Sequence, residues 1–382
     1  MSVLQQAIFS SQPPSPDVKE ALLQHLWPVP KPATGPHAPD PTTTTPHANA
    51  DDLDAWFAYL HHECRPPLAT HHAMQTFADM FLIAACLRDN PGTSLAGVQS
   101  LVAAADAALA SDPRKLVASV ELVVRLWLAV SVRGLMPASR HDLEVSLPWP
   151  ETQSLADVLH AHLCPPPTAS RPTMTTTTTA TESFPRQLNV VNMKRIAGFR
   201  VIWTNNLVEH LAVRGSSVYL FHQVSVLKRI KATAAAAAAA AASDHDDEPG
   251  RRRRSLPLLL PDEFVDETLA TLGLLVPHSM AACNVWLRGE TARLGLDRDL
   301  MYRATADRRK GSYPYWQDRL AALCEAFDRT KPSSPMQWWH DRRDMGQWWG
   351  FWLVVAGIAL TVLFGLIQSI TGILQVVGAS HA

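Results

Sequence analysis

Apolar residues recur at three- and four-residue spacing along most of this chain, and each such run predicts an amphipathic helix. A Ser-Pro-Asp start opens a short helix over Asp17–Trp27. Further runs cover Met74–Leu87, Leu95–Leu109 behind a Ser94 cap, Lys115–Val132 behind Pro113, and Ser154–Leu163. Asp262–Val276, Met280–Leu287 and Tyr315–Phe327 return to the same period. Between them the pattern changes: Arg200–Thr204 and Ser217–Phe221 read as short strands, with a helical stretch over Leu207–Val213. The expected fold is mainly α, a helical region carrying a small α/β insert, disordered linkers and one C-terminal transmembrane helix.

The last run is of another kind. From Trp348 to Val377 it is uncharged and mostly apolar, and the final 38 residues contain no Asp, Glu, Lys or Arg. About 20 such residues cross a hydrocarbon core of roughly 30 Å, so this run is long enough to span with tilt. Trp338, Trp339, Trp348, Trp349 and Trp352 crowd its start, where amphipathic rings settle at headgroup depth. Lys331, Arg342 and Arg343 precede the run and no Lys or Arg follows it, which predicts a single-pass, tail-anchored chain with its N-terminus in the cytosol. Met1-Ser2-Val3-Leu4 does not open a secretory signal. The long span favours the ER or a later secretory membrane over the mitochondrial outer membrane.

At 100° per residue, Gly350, Gly357, Thr361, Gly365, Gln368, Gly372 and Gln375 fall in one sector about 120° wide, joined by Ser369. Such a face lets a second helix approach closely, and two glutamines seven apart can bond across the contact. The partners expected are therefore the lipid bilayer, a second copy through this face, and cytosolic proteins whose identity the sequence does not state.

Composition divides the rest. After the helix within 1–27, residues 28–50 are rich in Pro and Thr and predict a disordered linker, as do the Thr-rich residues 166–185. A helical domain fills 51–165 and the α/β segment 186–231. Residues 232–255, with nine alanines (Ala234 to Ala242), an acidic block and Arg251 to Arg254, read as a low-complexity linker whose alanines can form helix. A helical segment over 256–331 and a juxtamembrane stretch over 332–347 lead to the span at 348–377. The net charge of −1 argues against a general nucleic-acid binder. Five widely spaced cysteines with no C-x-x-C pair suit a reducing compartment.

Candidate chemistry is sparse. No G-x-S-x-G, G-x-x-x-x-G-K-[ST], H-E-x-x-H or G-x-G-x-x-G occurs, so no catalytic residue and no cofactor is assigned. His61-His62-Glu63-Cys64 with His71-His72 carries metal-capable groups without the spacing of a zinc module, and solvated histidines account for it. Ser255 after four arginines is a candidate phosphosite, because phosphate beside guanidinium forms strong paired hydrogen bonds. Asp307-Arg308-Arg309-Lys310 and Asp341-Arg342-Arg343-Asp344 are mixed-charge patches able to touch anionic headgroups. Glu209-His210, next to a strand end, is a candidate acid–base pair, though a helix cap by Thr204 or Asn205 explains the cluster more simply.

The segments Leu188–Asn192, Gly198–Leu211, Tyr313–Leu320 and Gln337–Arg343 running into Gly365–Gln368 resemble a group of uncharacterised filamentous-fungal proteins with a single C-terminal transmembrane helix. The resemblance begins near residue 186 and omits the Ala/Arg insert. It implies an architecture and no activity. The sequence thus points to a tail-anchored interaction or tethering module; the alternatives are an anchored enzyme using the α/β segment, or a phosphorylation-regulated signalling component.

Overall fold

The computed structural model describes residues 3–28, 53–134, 145–164, 183–243, 259–303, 306–330 and 345–380. Its first half is a helical layer: α1 (Pro16–Leu26), α2 (Asp54–Glu63), α3 (Phe77–Asp89), α4 (Leu95–Ala105) and α5 (Pro113–Leu128). Helix starts follow local chemistry. Thr76 and Asp79 close a capping box on α3, Ser94 caps α4, and Asp112 accepts from Arg114 N and Lys115 N ahead of Pro113. The central helix, α5, buries nine side chains and stops where Ala129 turns left-handed at φ 54°. That turn ends the helix four residues before the sequence pattern does, and Val132 enters a strand instead.

Tryptophans brace this layer. Trp27 and Trp56 meet edge-on at 5.1 Å, and the Trp56 indole donates to the Leu126 carbonyl at 2.9 Å. β1 (Val132–Arg133) pairs in parallel with β2 (Leu147–Pro148), after which Ser154 caps α6 (Leu155–His162).

The α/β segment starts at α7 (Val190–Arg195), capped by Asn189. β3 (Arg200–Thr204), β4 (Val213–Arg214) and β5 (Ser217–Phe221) form a sheet ordered β3-β5-β4, parallel between β3 and β5 and antiparallel between β4 and β5. Both expected strands are present. The stretch expected to be helical is not one helix: a single 3-10 turn over Leu207–Glu209 gives way to β4, and Leu211 takes φ 61°. Asn206, rather than Thr204 or Asn205, caps that turn by accepting from Val208 N.

β5 feeds α8 (Val224–Ser243), which carries the alanine tract as its second half, so residues 232–243 are helix and not linker. α9 (Asp262–Leu275) packs along α8; α10 (Ala281–Leu294) ends on Gly295 at φ 64°; α11 (Gln317–Arg329) follows. A single hydrophobic core runs from Ile8 to Phe327. Asn206 ties its parts together: its Oδ1 accepts from Ser131 N at 3.1 Å, its Nδ2 donates to the Val145 carbonyl at 2.7 Å, and the neighbouring Leu207 N–H bonds to Ala129 O at 2.7 Å.

The last element, α12 (Met345–Ser380), stands apart from this core. Its apolar part, Trp348–Ile373, has 26 residues, and its most apolar stretch has a mean hydropathy of 2.4 with none of its residues buried.

Candidate functional site

Two features compete for a functional reading: the exposed helix α12 and the polar cluster inside the α/β segment. The cluster is built around His210, which is fully buried. Phe221 N–H points at His210 Nδ1 at 3.2 Å, so the ring proton sits on Nε2. Nε2–H then donates to Thr271 Oγ1 at 2.7 Å, and Thr271 passes its own proton to the Thr268 carbonyl at 2.6 Å. Both ring nitrogens are committed to the protein. Burial, with the Arg319 guanidinium nearby, pushes the imidazole down to about 3, so it stays neutral.

Glu209 is equally occupied. Its carboxylate accepts from Thr204 Oγ1 at 2.9 Å and from Arg214 Nη2 at 2.8 Å. The acid–base pair read from the sequence is therefore split between two internal networks, and its two side chains do not converge on a common space. His222, also buried, is pushed down to about 4 by desolvation and faces Asp297 N. Asp297 accepts from Ser225 N and Ser225 Oγ, both at 2.7 Å, and burial pushes its carboxyl up to about 6.

The same network fastens α11. Glu267 on α9 accepts from Tyr315 N at 3.1 Å and Trp316 N at 2.7 Å, capping α11 from outside, and burial raises its carboxyl to about 7. The Trp316 indole donates to Thr268 Oγ1 at 2.8 Å and its ring meets His210 edge-on. Arg319, one turn on, donates to the carbonyls of Val208 at 2.7 Å and His210 at 2.6 Å. The aromatic stretch Tyr313–Leu320 thus packs inside the domain. Nothing in its sequence signals Glu267 or Thr268 as partners, since they lie about 50 residues upstream.

An open cleft of about 500 Å³ lies beside α11, walled by Phe184, Lys310, Cys324, Glu325, Asp328 and Arg329. None of Asn205, Glu209, His210 or His222 lines it. The Cys324 thiol is pushed up to about 11 by burial and the Asp328 carboxylate, so it is not a nucleophile at neutral pH.

The other sequence candidates disperse. His61 bonds to the Ser11 carbonyl, Glu63 pairs with Arg125 at 2.9 Å, Cys64 is buried, and His72 stacks on Phe9. No group of three or more metal-capable side chains occurs among the described residues. Arg308 does not face headgroups: its guanidinium donates to the carbonyls of Phe184, Pro185, Leu188 and Leu274. Ser255, Trp338, Trp339, Arg342 and Arg343 lie outside the described residues.

On α12, Trp348, Trp349 and Trp352 form an aromatic cluster, with the first pair edge-on at 5.1 Å. Gly350, Gly357, Gly365 and Gly372 each leave open space around the position of a Cβ. Thr361 and Thr371 return their hydroxyls to the carbonyls of Gly357 and Ile367, both at 2.8 Å. Gln368 shares the exposed sector; Gln375 lies two turns further along the same helix. Among the described residues, the apolar helix Trp348–Ile373 is, at about 39 Å, long enough to cross a bilayer. No protein-family model, curated protein or solved structure matches the chain.

Proposed function

We propose that the chain is a single-pass membrane protein in which α12 anchors a folded cytosolic domain that serves as an interaction or tethering module. The observation that carries this reading is the conjunction of length, apolarity and exposure in Trp348–Ile373. A core helix of equal hydropathy is covered by its own protein, whereas this one offers Leu353, Val354, Ile358 and Leu366 to its surroundings at more than half exposure. Lys331, Arg342 and Arg343 on the domain side support a cytosolic domain. The Trp cluster supports an interface at that end of the helix.

The test is alkaline carbonate extraction with protease protection on membranes carrying an N-terminally tagged chain, beside a chain stopped after His340. Retention of the full chain with a digestible tag, and release of the shortened one, is the expected result. Extraction of the full chain into the supernatant would sink the anchor reading.

The glycine face of α12 supports a finer proposal, association of two copies in the bilayer. Close approach of backbones is what small residues permit, and Gln368 offers an interhelical hydrogen bond.

A further inference from the structure

Outside α12, the described residues expose few large apolar side chains, and the most exposed are Val285 at 67% and Tyr302 at 78%. Val285 sits mid-way along the solvent face of α10. At 100° per residue, Ala281, Ala282, Val285, Arg288, Gly289, Ala292 and Arg293 occupy one sector about 140° wide, and every one of them is exposed. A helix face turned to water is ordinarily charged and polar. This one holds five small or apolar residues, two arginines and no carboxylate.

Its neighbour continues the asymmetry. Trp286, at the edge of the sector, carries the Lys194 ammonium of α7 over its ring at 5.5 Å, with Arg195 exposed beside it. Together α7 and α10 bear four cations, Lys194, Arg195, Arg288 and Arg293, against one carboxylate, Glu290, which is paired to Arg293 at 3.0 Å. The whole chain has a net charge of −1, so this excess is local. Tyr302 is held near the start of α10 because the adjacent Arg303 donates to Asn284 at 2.7 Å.

We propose that the outer face of α10, flanked by the cations of α7, docks on the anionic surface of the same bilayer that holds α12. A shallow apolar face ringed by Lys, Arg and Trp, and lacking acid, is complementary to anionic headgroups over an acyl boundary. The 14 residues between Thr330 and Met345 allow at most about 50 Å of reach. α11 contacts the β4 edge of the sheet and α7 the β3 edge, and a three-stranded sheet is only about 10 Å across, so the tether spans that separation. Tethering puts the face at an effective concentration on the order of millimolar relative to the surface, so a weak contact suffices. Each cation within a Debye length adds about fivefold to binding. The inference rests on the anchor reading above.

The experiment uses the full chain in lipid nanodiscs with a benzophenone-bearing amino acid in place of Val285 or, as a control inside the span, of Leu360. Discs of phosphatidylcholine alone are compared with discs that also contain phosphatidylserine. Lipid adducts at position 285 that rise about fivefold or more with phosphatidylserine, and fall at least as much in Lys194→Glu with Arg288→Glu, are the expected result. Those two side chains are exposed, so thermal unfolding of the domain is expected to stay unchanged. Adducts at position 285 that ignore lipid charge, cross-links to a second copy, or no adduct there while position 360 labels lipid, would each overturn docking and leave the anchor intact. Absence of lipid labelling at position 360 would remove the anchor and the docked face together.

Discussion

Glu267 accepts the backbone N–H of Trp316 at 2.7 Å, while the Trp316 indole donates to Thr268, the next residue on α9, at 2.8 Å. Two adjacent residues of one helix therefore hold both the main chain and the side chain at the entry to the next. Trp316 is only 2% exposed, and its ring closes over His210, so the start of α11 is fixed on three sides.

This joint sets a pH dependence. Burial raises Glu267 to about 7 and Asp297 to about 6, so folding takes up protons at these carboxyls. Their contribution is fully present below the ordinary carboxylate range and is lost as pH rises through about 6 to 7. Desolvation lowers His72, His210 and His222 to about 4, 3 and 4, so folding expels protons there. That contribution is present above the unfolded imidazole value and is lost as pH falls below it. Three imidazoles outweigh two carboxyls across this range, so stability is expected to fall as pH drops below about 7, with the two carboxyls moderating the slope. Chemical denaturation of the detergent-solubilised chain across pH measures it. Glu267→Gln is expected to steepen the fall between about pH 7 and 4.5 and His222→Phe to soften it; a Glu267→Gln profile parallel to wild type across that range would refute the assignment.

Arg319 satisfies two buried carbonyls, those of Val208 and His210, and lies over the Trp316 ring at 5.1 Å. Arg319→Ala strands both acceptors and is expected to cost about 3 kcal/mol of domain stability. Both bonds come from the single Nη1 nitrogen, so Arg319→Lys is expected to recover part of that, the remaining loss coming from the shorter side chain and the missing planar group over Trp316. Urea midpoints of the three chains decide it.

A charge placed at the middle of α12 meets lipid if the helix spans, and meets water if it does not. Leu360→Arg is expected to oppose insertion by about 3 kcal/mol and to shift the chain from the membrane pellet toward the carbonate supernatant. The near-UV spectrum of the domain should not move, since the span is not part of the core. An unchanged pellet fraction counts against spanning.

The association proposal has its own reading. Gly357→Ile with Gly365→Ile fills the open space over the glycine face and is expected to lower a split-reporter or cross-linking signal between two tagged copies several-fold. Equal substitutions at Leu353 and Leu360, off that face, are expected to leave the signal in place.

Much of the helical frame could be taken directly from the amino-acid order. Ser94, Asp112 and Ser154 stand where caps are needed, and the runs behind them are amphipathic, so propensity and burial agree at α4, α5 and α6. Where they disagree, the order of residues misleads. Leu207–Val213 has helical spacing, yet β4 is drawn into the sheet by β5, and backbone pairing with Val218 and Ser217 outweighs a helix of two turns. The alanine tract has no apolar period at all, so its continuity with α8 shows only in three dimensions. Glu209 and His210 looked like a reactive pair because they are adjacent; the partners that consume them, Arg214, Thr271 and Phe221, come from other elements.

Because the span of α12 contributes nothing to the core, the two halves of the chain can fail separately. A substitution such as Arg319→Ala that unfolds the domain leaves the apolar helix unaltered, so the damaged chain would remain where the intact one resides. With α12 in a bilayer, as proposed, its core residues would then be exposed in a two-dimensional layer, at far higher local density than an unanchored chain reaches. Disposal of such a chain would require pulling the helix out of lipid as well as unfolding what is left of the domain.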